Sequence, residues 1–188
     1  FEYAGTNPCG EEPLPAGGSC LLGSINLVKY VENPFTDKAS FNFEDFEYSV
    51  KQGVIYLNEV LEEGLPLHPL QEQQQSVKNW RQIGLGQMGL GSMLIMMKLK
   101  YGEKASLQLC DKIGEIMINA ALQQSAHLAK KEGPYPKYKE EAVLNSPFLQ
   151  KNATEETKKL VKKYGLRNSQ LLTIAPTGSI SNLVGVSG

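Results

Sequence analysis

Apolar and polar positions alternate along the chain in two rhythms, and the slower one picks out the helices. In residues 41–64, "FNFEDFEYSVKQGVIYLNEVLEEG", Phe46, Val50, Val54, Leu57 and Leu61 recur at three- and four-residue intervals, which places them on one face of an α-helix. Asn42 stands where a side-chain oxygen can take a free N–H of the first turn, and Gly64 stands where the helix can stop. A longer helix is predicted over residues 104–132, with Leu109, Ile113, Met117 and Ala120 on its apolar face and "GPYP" as its terminator. A charged helix near Thr154 to Tyr164 ends at Gly165. Between the helices the apolar runs are short. "SCLLGSINLVKYV" predicts a strand, or a short strand plus turn, before the loop "ENPFTD". "LPLHPL", with prolines on both sides of His68, predicts an extended connection. "NWRQIGLGQMGLGSMLIMMKLKYG" predicts a short strand running into a helix, and "QLLTIA" a buried strand that delivers "PTGSIS" to a turn or helix start. Strand and helix alternate without an internal repeat or a linker, so the predicted class is α/β, with residues 1–188 as one unit.

Composition narrows the function classes. The 188 residues are 41% hydrophobic and 21% charged, enough for one real core. Nineteen basic and twenty acidic side chains give a net charge of -1 and no block of either sign, so neither nucleic acid nor an anionic membrane is an expected partner. The apolar run "MGLGSMLIMM" is too short for a bilayer and no leader opens the chain, so the expected compartment is the cytoplasm. A start at "FEYAG" and an end at "GVSG" suggest a piece of something longer. Three cysteines do not make a secreted disulfide framework, which turns attention to redox or catalytic roles.

Two of those cysteines fall in "TNPCGEEPLPAGGSC", residues 6–20. Pro8 favours extended backbone at Asn7, and in an extended segment Asn7, Cys9 and Glu11 share one face. An amide, a thiol and a carboxylate side by side suit work on a hydroxylated substrate. Gly10 permits close backbone approach, and Pro13, Pro15, Gly17 and Gly18 form a turn able to bring Cys20 back toward Cys9. A surface loop with an incidental cysteine, or a Cys9–Cys20 disulfide, remains open on spacing alone. Near the other end, "APTGSIS" places Pro176, Thr177, Gly178, Ser179 and Ile180 after a strand, offering two hydroxyls and free N–H groups to an anion. A plain turn with a helix cap is the alternative. Cys110, beside Leu109 on a helix, fits a small buried hydrophobe. His68 and His127 have no partners at ligand spacing, so no metal site is predicted. "GLGQMG", Gly84 to Gly89, matches GxGxxG without a second βαβ unit or a placed acid, and packing glycines are expected instead.

Three segments in this order, "NPCGE" with "PLPAGGSCLLGSINL", "WRQIGLGQMGLGSML" and "RNSQLLTIAPTGSIS", resemble the ribonucleotide reductase large subunit over essentially the whole chain. The resemblance implies a ten-stranded α/β barrel of two five-stranded halves with a finger loop through its centre, of which this chain holds the second half. It implies that Cys9 becomes the thiyl radical that removes the hydrogen atom from the ribose 3' carbon, that Glu11 is the base at the 3' hydroxyl, and that Asn7 holds ribose hydroxyls. Cys20 then matches one of two thiols that supply electrons and become a disulfide, its partner lying upstream. Pro176, Thr177, Gly178, Ser179 and Ile180 match the substrate-phosphate loop. The implied enzyme is a ribonucleoside-diphosphate reductase, inactive as this piece alone, reset by an external dithiol such as thioredoxin or glutaredoxin, and homo-oligomeric at full length. "NPCGE" and "APTGSIS" look most like the adenosylcobalamin-dependent branch, although no residue here marks that cofactor's site. A nucleotide-binding or regulatory module without catalysis is the competing expectation.

Overall fold

The computed structural model describes residues 2–19 and 21–188. Two short strands, β1 (Gly5–Thr6) and β2 (Pro13–Leu14), pair antiparallel and hold a loop between them. β3 (Leu22–Asn26) passes into a 3-10 turn at Leu27–Tyr30, where Asn26 Oδ1 accepts the Val28 N–H at 3.2 Å. β4 (Val31–Glu32) and β5 (Ser40–Phe41) form a second antiparallel pair. α1 (Phe43–Gly64) then runs as the apolar spacing predicts, with Asn42 Oδ1 accepting the Asp45 N–H at 3.0 Å. Phe46, Val50, Val54 and Leu61 of its stripe are buried.

The connection after α1 differs from the expectation. Gly64 keeps right-handed helical dihedrals and Leu65–Leu67 continue as a 3-10 turn, so the chain becomes extended only at His68. Pro66 is tolerated there because the first turn of a helix has no use for its missing N–H. α2 (Gln71–Trp80) follows, unpredicted because "QEQQQSVKN" carries no apolar period; its buried residues are Ser76 and Val77.

β6 (Gly84–Met88) leads into α3 (Leu90–Met96) and α4 (Lys104–Glu132). The short helices α5 (Glu140–Leu144) and α6 (Pro147–Asn152) precede α7 (Glu155–Tyr164), which Thr154 caps and Gly165 ends at φ 73°. β3 and β6 are parallel, with Ser24 opposite Gly86. Residues 170–173 extend this sheet on the other side of β6. The Leu85 N–H donates to the Leu171 carbonyl at 2.9 Å, and the Thr173 N–H donates to the Leu85 carbonyl at 3.1 Å. That third segment is the strand predicted from "QLLTIA", but it is buried only in alternation: Leu171 and Thr173 are inside, whereas Ile174 is 73% exposed. α8 (Gly178–Val184) follows it.

Parallel neighbours require crossovers, and helices supply them here. α4 packs on α1 and on α7, and α1 lies on β3 and β6. Leu27, Phe46, Leu61, Ile83, Met93 and Ile113 are the large side chains sealed in the shared core. Gly86 and Gly89 of "GLGQMG" belong to this packing. A Cβ at Gly86 would lie 2.6 Å from the Thr173 carbonyl oxygen, closer than real atoms approach, so only glycine lets the third segment lie against β6.

Candidate active site

The loop between β1 and β2 holds Asn7, Cys9 and Glu11, but a turn arranges them, not an extended run. The Gly10 N–H donates to the Asn7 carbonyl at 3.0 Å with Gly10 at φ 74°, which makes Asn7 to Gly10 a β-turn. Pro8 therefore occupies the corner that its fixed φ favours, and side-chain alternation no longer sets who faces whom. Asn7 closes the loop from inside. Its N–H donates to the Glu12 carbonyl at 3.3 Å, and its Oδ1 accepts the Glu12 N–H at 2.9 Å.

This arrangement leaves chemistry at the tip. Cys9 is exposed and free. Asn7 Nδ2 and Glu11 Oε2 are buried atoms without a hydrogen-bond partner. A buried donor and a buried acceptor left unmade are costly, on the order of 1–3 kcal/mol each, and each calls for an explanation such as a bound water, an ion or a catalytic role. Cys20 lies outside the described residues.

The tip is tied to the far end of the chain. Thr173 Oγ1 donates to the Glu11 carbonyl at 2.6 Å. Gln170 Nε2 donates to the Pro13 carbonyl at 3.0 Å, and Gln82 Nε2 donates to Gln170 Oε1. The second predicted site begins at Pro176, three residues beyond Thr173, and Thr177 lies four beyond it. An extended four-residue segment spans at most roughly 13–14 Å, so the fold brings the thiol loop and "PTGSI" to one end of the parallel segments, their C-terminal end, where ligands of parallel sheets gather.

At that second site Thr177 is the N-cap of α8 with φ 56° and ψ 20°. The left-handed region is costly for a β-branched residue, and such strain clusters at functional positions. Thr177 is buried, and its hydroxyl donates to the Pro176 carbonyl at 2.7 Å. Pro176, Gly178, Ser179 and Ile180 are exposed. No side chain caps the first turn of α8, so the donors open to an anion are the Ser179 hydroxyl and the leading N–H groups. The residues after α8 fold back on α3: the Ser187 N–H donates to Ser92 Oγ at 3.0 Å and the Ser92 N–H to Ser187 Oγ at 3.2 Å.

A polar network that the sequence pattern did not reveal, buried at Arg81, Asn58, Asn168 and Ser125 and open to solvent at Glu62, supports the "RNSQ" end of the third segment. Arg81 Nη2 donates to Asn58 Oδ1 at 2.9 Å and to Glu62 Oε1 at 2.5 Å. Arg167 Nη2 reaches the same Glu62 oxygen at 2.9 Å. Asn168 Nδ2 donates to the Arg81 carbonyl at 3.1 Å, while its Oδ1 accepts the Ser125 hydroxyl at 3.1 Å. Burial pushes the Glu62 carboxyl up, but the hydrogen bonds and charges of Arg81 and Arg167 outweigh it and hold its pKa below the ordinary value. The signal available in sequence was Asn58, a polar residue on the apolar face of α1.

Cys110 is half-buried rather than sealed, and burial followed by the neighbouring Asp111 charge pushes its thiol pKa up. A cavity of about 590 Å³ borders residues 168–172, lined mainly by apolar groups such as Leu122, Tyr135 and Phe148, and it contains none of the predicted site residues. Among the described residues no three His, Cys, Asp or Glu gather as a metal site, and no helix is long and apolar enough to cross a membrane.

Comparison with known proteins bears on this geometry. The family described as "Ribonucleotide reductase, barrel domain" matches residues 3–188. The vitamin B12-dependent ribonucleoside-diphosphate reductase of Thermoplasma acidophilum is 32% identical over 97% of this chain and 21% of its own length. The ribonucleoside-diphosphate reductase subunit alpha of Chlamydia pneumoniae is 30% identical over 89% of this chain and 17% of its own length. The chain thus spans about a fifth of the curated relatives it matches. Among solved structures, the class Id ribonucleotide reductase alpha subunit of Actinobacillus ureae shares the fold with a TM-score of 0.71 at 24% identity, over 97% of this chain and 30% of that one. With parallel segments, crossing helices and a loop anchored at their C-terminal end, matched nearly from end to end, the chain belongs to the ribonucleotide reductase barrel-domain family and forms part of such a barrel.

Proposed function

We propose that the protein carrying this chain reduces ribonucleotides to deoxyribonucleotides, with Cys9 as the radical-bearing thiol. The observation behind the proposal is the hairpin tip, where the exposed thiol of Cys9 falls in sequence between Asn7 and Glu11, each with one buried side-chain polar atom that lacks a partner. In this reading the Cys9 sulfur, once oxidised to a thiyl, takes the hydrogen atom from the ribose 3' carbon. Glu11 takes the proton of the 3' hydroxyl, and Asn7 Nδ2 donates to a ribose hydroxyl. Replacing the 2' hydroxyl by hydrogen, with release of water, requires two electrons; Cys20 and an upstream thiol provide them and become a disulfide.

An external dithiol of the thioredoxin or glutaredoxin kind would restore the pair, chemistry that belongs in a reducing compartment such as the cytoplasm. The phosphates would sit at Pro176–Ile180, on the Ser179 hydroxyl and the leading N–H groups of α8. A ribonucleoside diphosphate is the proposed substrate, in keeping with the names of both relatives. The proposal treats residues 1–188 as one piece of the catalytic barrel, within a protein that assembles as a homo-oligomer.

Adenosylcobalamin, when bound, supplies a carbon-centred radical, and relatives named vitamin B12-dependent support it as the radical source. The described residues offer it no ligand set: His68 lies in the α1–α2 connection and His127 is exposed on α4. This chain's part in the reaction begins at the Cys9 sulfur.

The test is a single turnover of the full-length protein on substrate tritiated at the 3' carbon. Cys9→Ala should abolish tritium release, and Cys20→Ser should retain release while failing to recycle. Retained release in the Cys9 variant sinks the assignment. Tight nucleotide binding by the wild type with no release favours the non-catalytic module instead.

A further inference from the structure

Thr173 is not a group that the reaction uses, yet it is held more tightly than a strand residue needs to be. Its N–H donates to the Leu85 carbonyl at 3.1 Å, and its own carbonyl oxygen lies against Gly86, where any Cβ would come within 2.6 Å. Both flanks of the backbone are therefore fixed by β6. The side chain is buried, and its hydroxyl donates to the Glu11 carbonyl at 2.6 Å, short for a neutral O–H···O bond. Glu11 Oε2 is a buried carboxylate oxygen without a hydrogen-bond partner. What fixes the Glu11 backbone is the Thr173 hydroxyl on one side and the Asn7–Glu12 loop closure on the other.

Three residues earlier on the same segment, Gln170 holds the Pro13 carbonyl, with Gln82 braced against it. The thiol loop is thus fastened twice to the segment that runs on into Thr177. A loop closed only by its own short strands of two residues each has little stability of its own. The fastening sets its height relative to the phosphate end.

We infer that Thr173 is a positioning residue that holds the Glu11 carboxylate and the Cys9 thiol in fixed register with residues Pro176–Ile180 at the start of α8. The inference rests on the proposed function for what Glu11 and Cys9 do. The physical content is independent of it: one hydroxyl couples two segments 162 residues apart. Misplacing a reacting group by about 1 Å costs on the order of 10²-fold in rate, while phosphate binding at α8 does not need the hydroxyl. Its loss should therefore appear in kcat and leave KM alone.

The experiment compares Thr173→Val and Thr173→Ser with wild type in the full-length protein. Valine keeps the shape and removes the hydroxyl, and serine keeps the hydroxyl. For Thr173→Val, kcat and single-turnover tritium release from the 3' carbon should fall together by about 10-fold or more. Its KM and its nucleotide Kd should stay within about twofold, and Thr173→Ser should recover most of the rate. Hydrogen exchange of the amides in residues 7–13 is measured alongside. It should accelerate about 10-fold or more in Thr173→Val and not in Thr173→Ser, with α4 exchange unchanged as the control for folding.

Wild-type kcat and wild-type exchange in Thr173→Val overturn the inference and leave the function standing. Equal loss in both variants, or a loss confined to KM, also overturns it. If the wild type releases no tritium the functional reading fails, and the exchange data alone then decide whether Thr173 positions the loop.

Discussion

Gly86 and the Thr173 carbonyl oxygen touch where no side chain fits: a Cβ added at Gly86 would stand 2.6 Å from that oxygen. β6 and the 170–173 segment are therefore held together by an atom that is missing from residue 86.

Gly86→Ala should push the two segments apart and strain the backbone bonds between Leu85 and its partners at 171 and 173. The expected loss is about 1–3 kcal/mol of stability, the usual penalty for overpacking. Thermal unfolding of the full-length protein checks it; an unchanged Tm would mean that the sheet has slack which the geometry denies.

Phe46 anchors the opposite side of the core, fully buried on α1 with its ring 5.4 Å from Tyr30 in an edge arrangement. Phe46→Ala should cost about 3–5 kcal/mol through lost burial and the cavity left behind. Phe46→Leu should cost clearly less. Denaturant midpoints of the two variants, compared at constant m, decide the matter.

Glu62 ties stability to acidity. Its folded pKa lies below the ordinary 4.5 because Arg81 and Arg167 outweigh burial. A depressed carboxylate contributes stability above its unfolded pKa and loses it as pH falls through the folded value. The carboxylate side chain is 42% exposed, so solvent screening limits the effect to about 0.5–1 kcal/mol. Glu62→Gln should therefore be less stable than wild type at pH 7, and the gap should narrow as pH falls below 4.5 and close below the folded pKa. A gap of equal size at pH 7 and pH 3 would assign the role to shape instead of charge.

Ser179, exposed at the start of α8, is the hydroxyl free to donate, whereas Thr177 already donates to Pro176. Ser179→Ala should weaken nucleotide binding by about 1.5–3 kcal/mol, the range for a hydrogen bond to a charged group. Thr177→Ala should have a smaller effect. Calorimetric titration with nucleotide and with its nucleoside provides the contrast: equal losses for both ligands would return α8 to a structural role.

The long helices were legible because their packing is periodic: Phe46 to Leu61 on α1 and Ile113 to Ala120 on α4 each repeat a buried face. α2 was not, because a helix rich in glutamine is held by position and not by an apolar stripe. The 3-10 turn at Leu65–Leu67 escaped because two prolines read as extended until the first of them is placed at a helical start. At the site, the residue types around Cys9 were visible but their geometry was not. Pro8 signals a corner as readily as an extended bond, and only the bond from Gly10 N–H to the Asn7 carbonyl decides between them. The fastening of Glu11 by Thr173 could not be seen at all, since no local pattern encodes a contact across 162 residues.

That separation also orders events in time. During synthesis at about 5–20 residues per second, roughly 8–30 s pass between the appearance of residue 11 and that of residue 173. Over that interval the thiol loop has only its two short strands to shape it, and the long-range closure waits until residue 173 has been made. A nascent or truncated chain that stops before residue 173 therefore presents the Cys9 loop without its fastening to that segment.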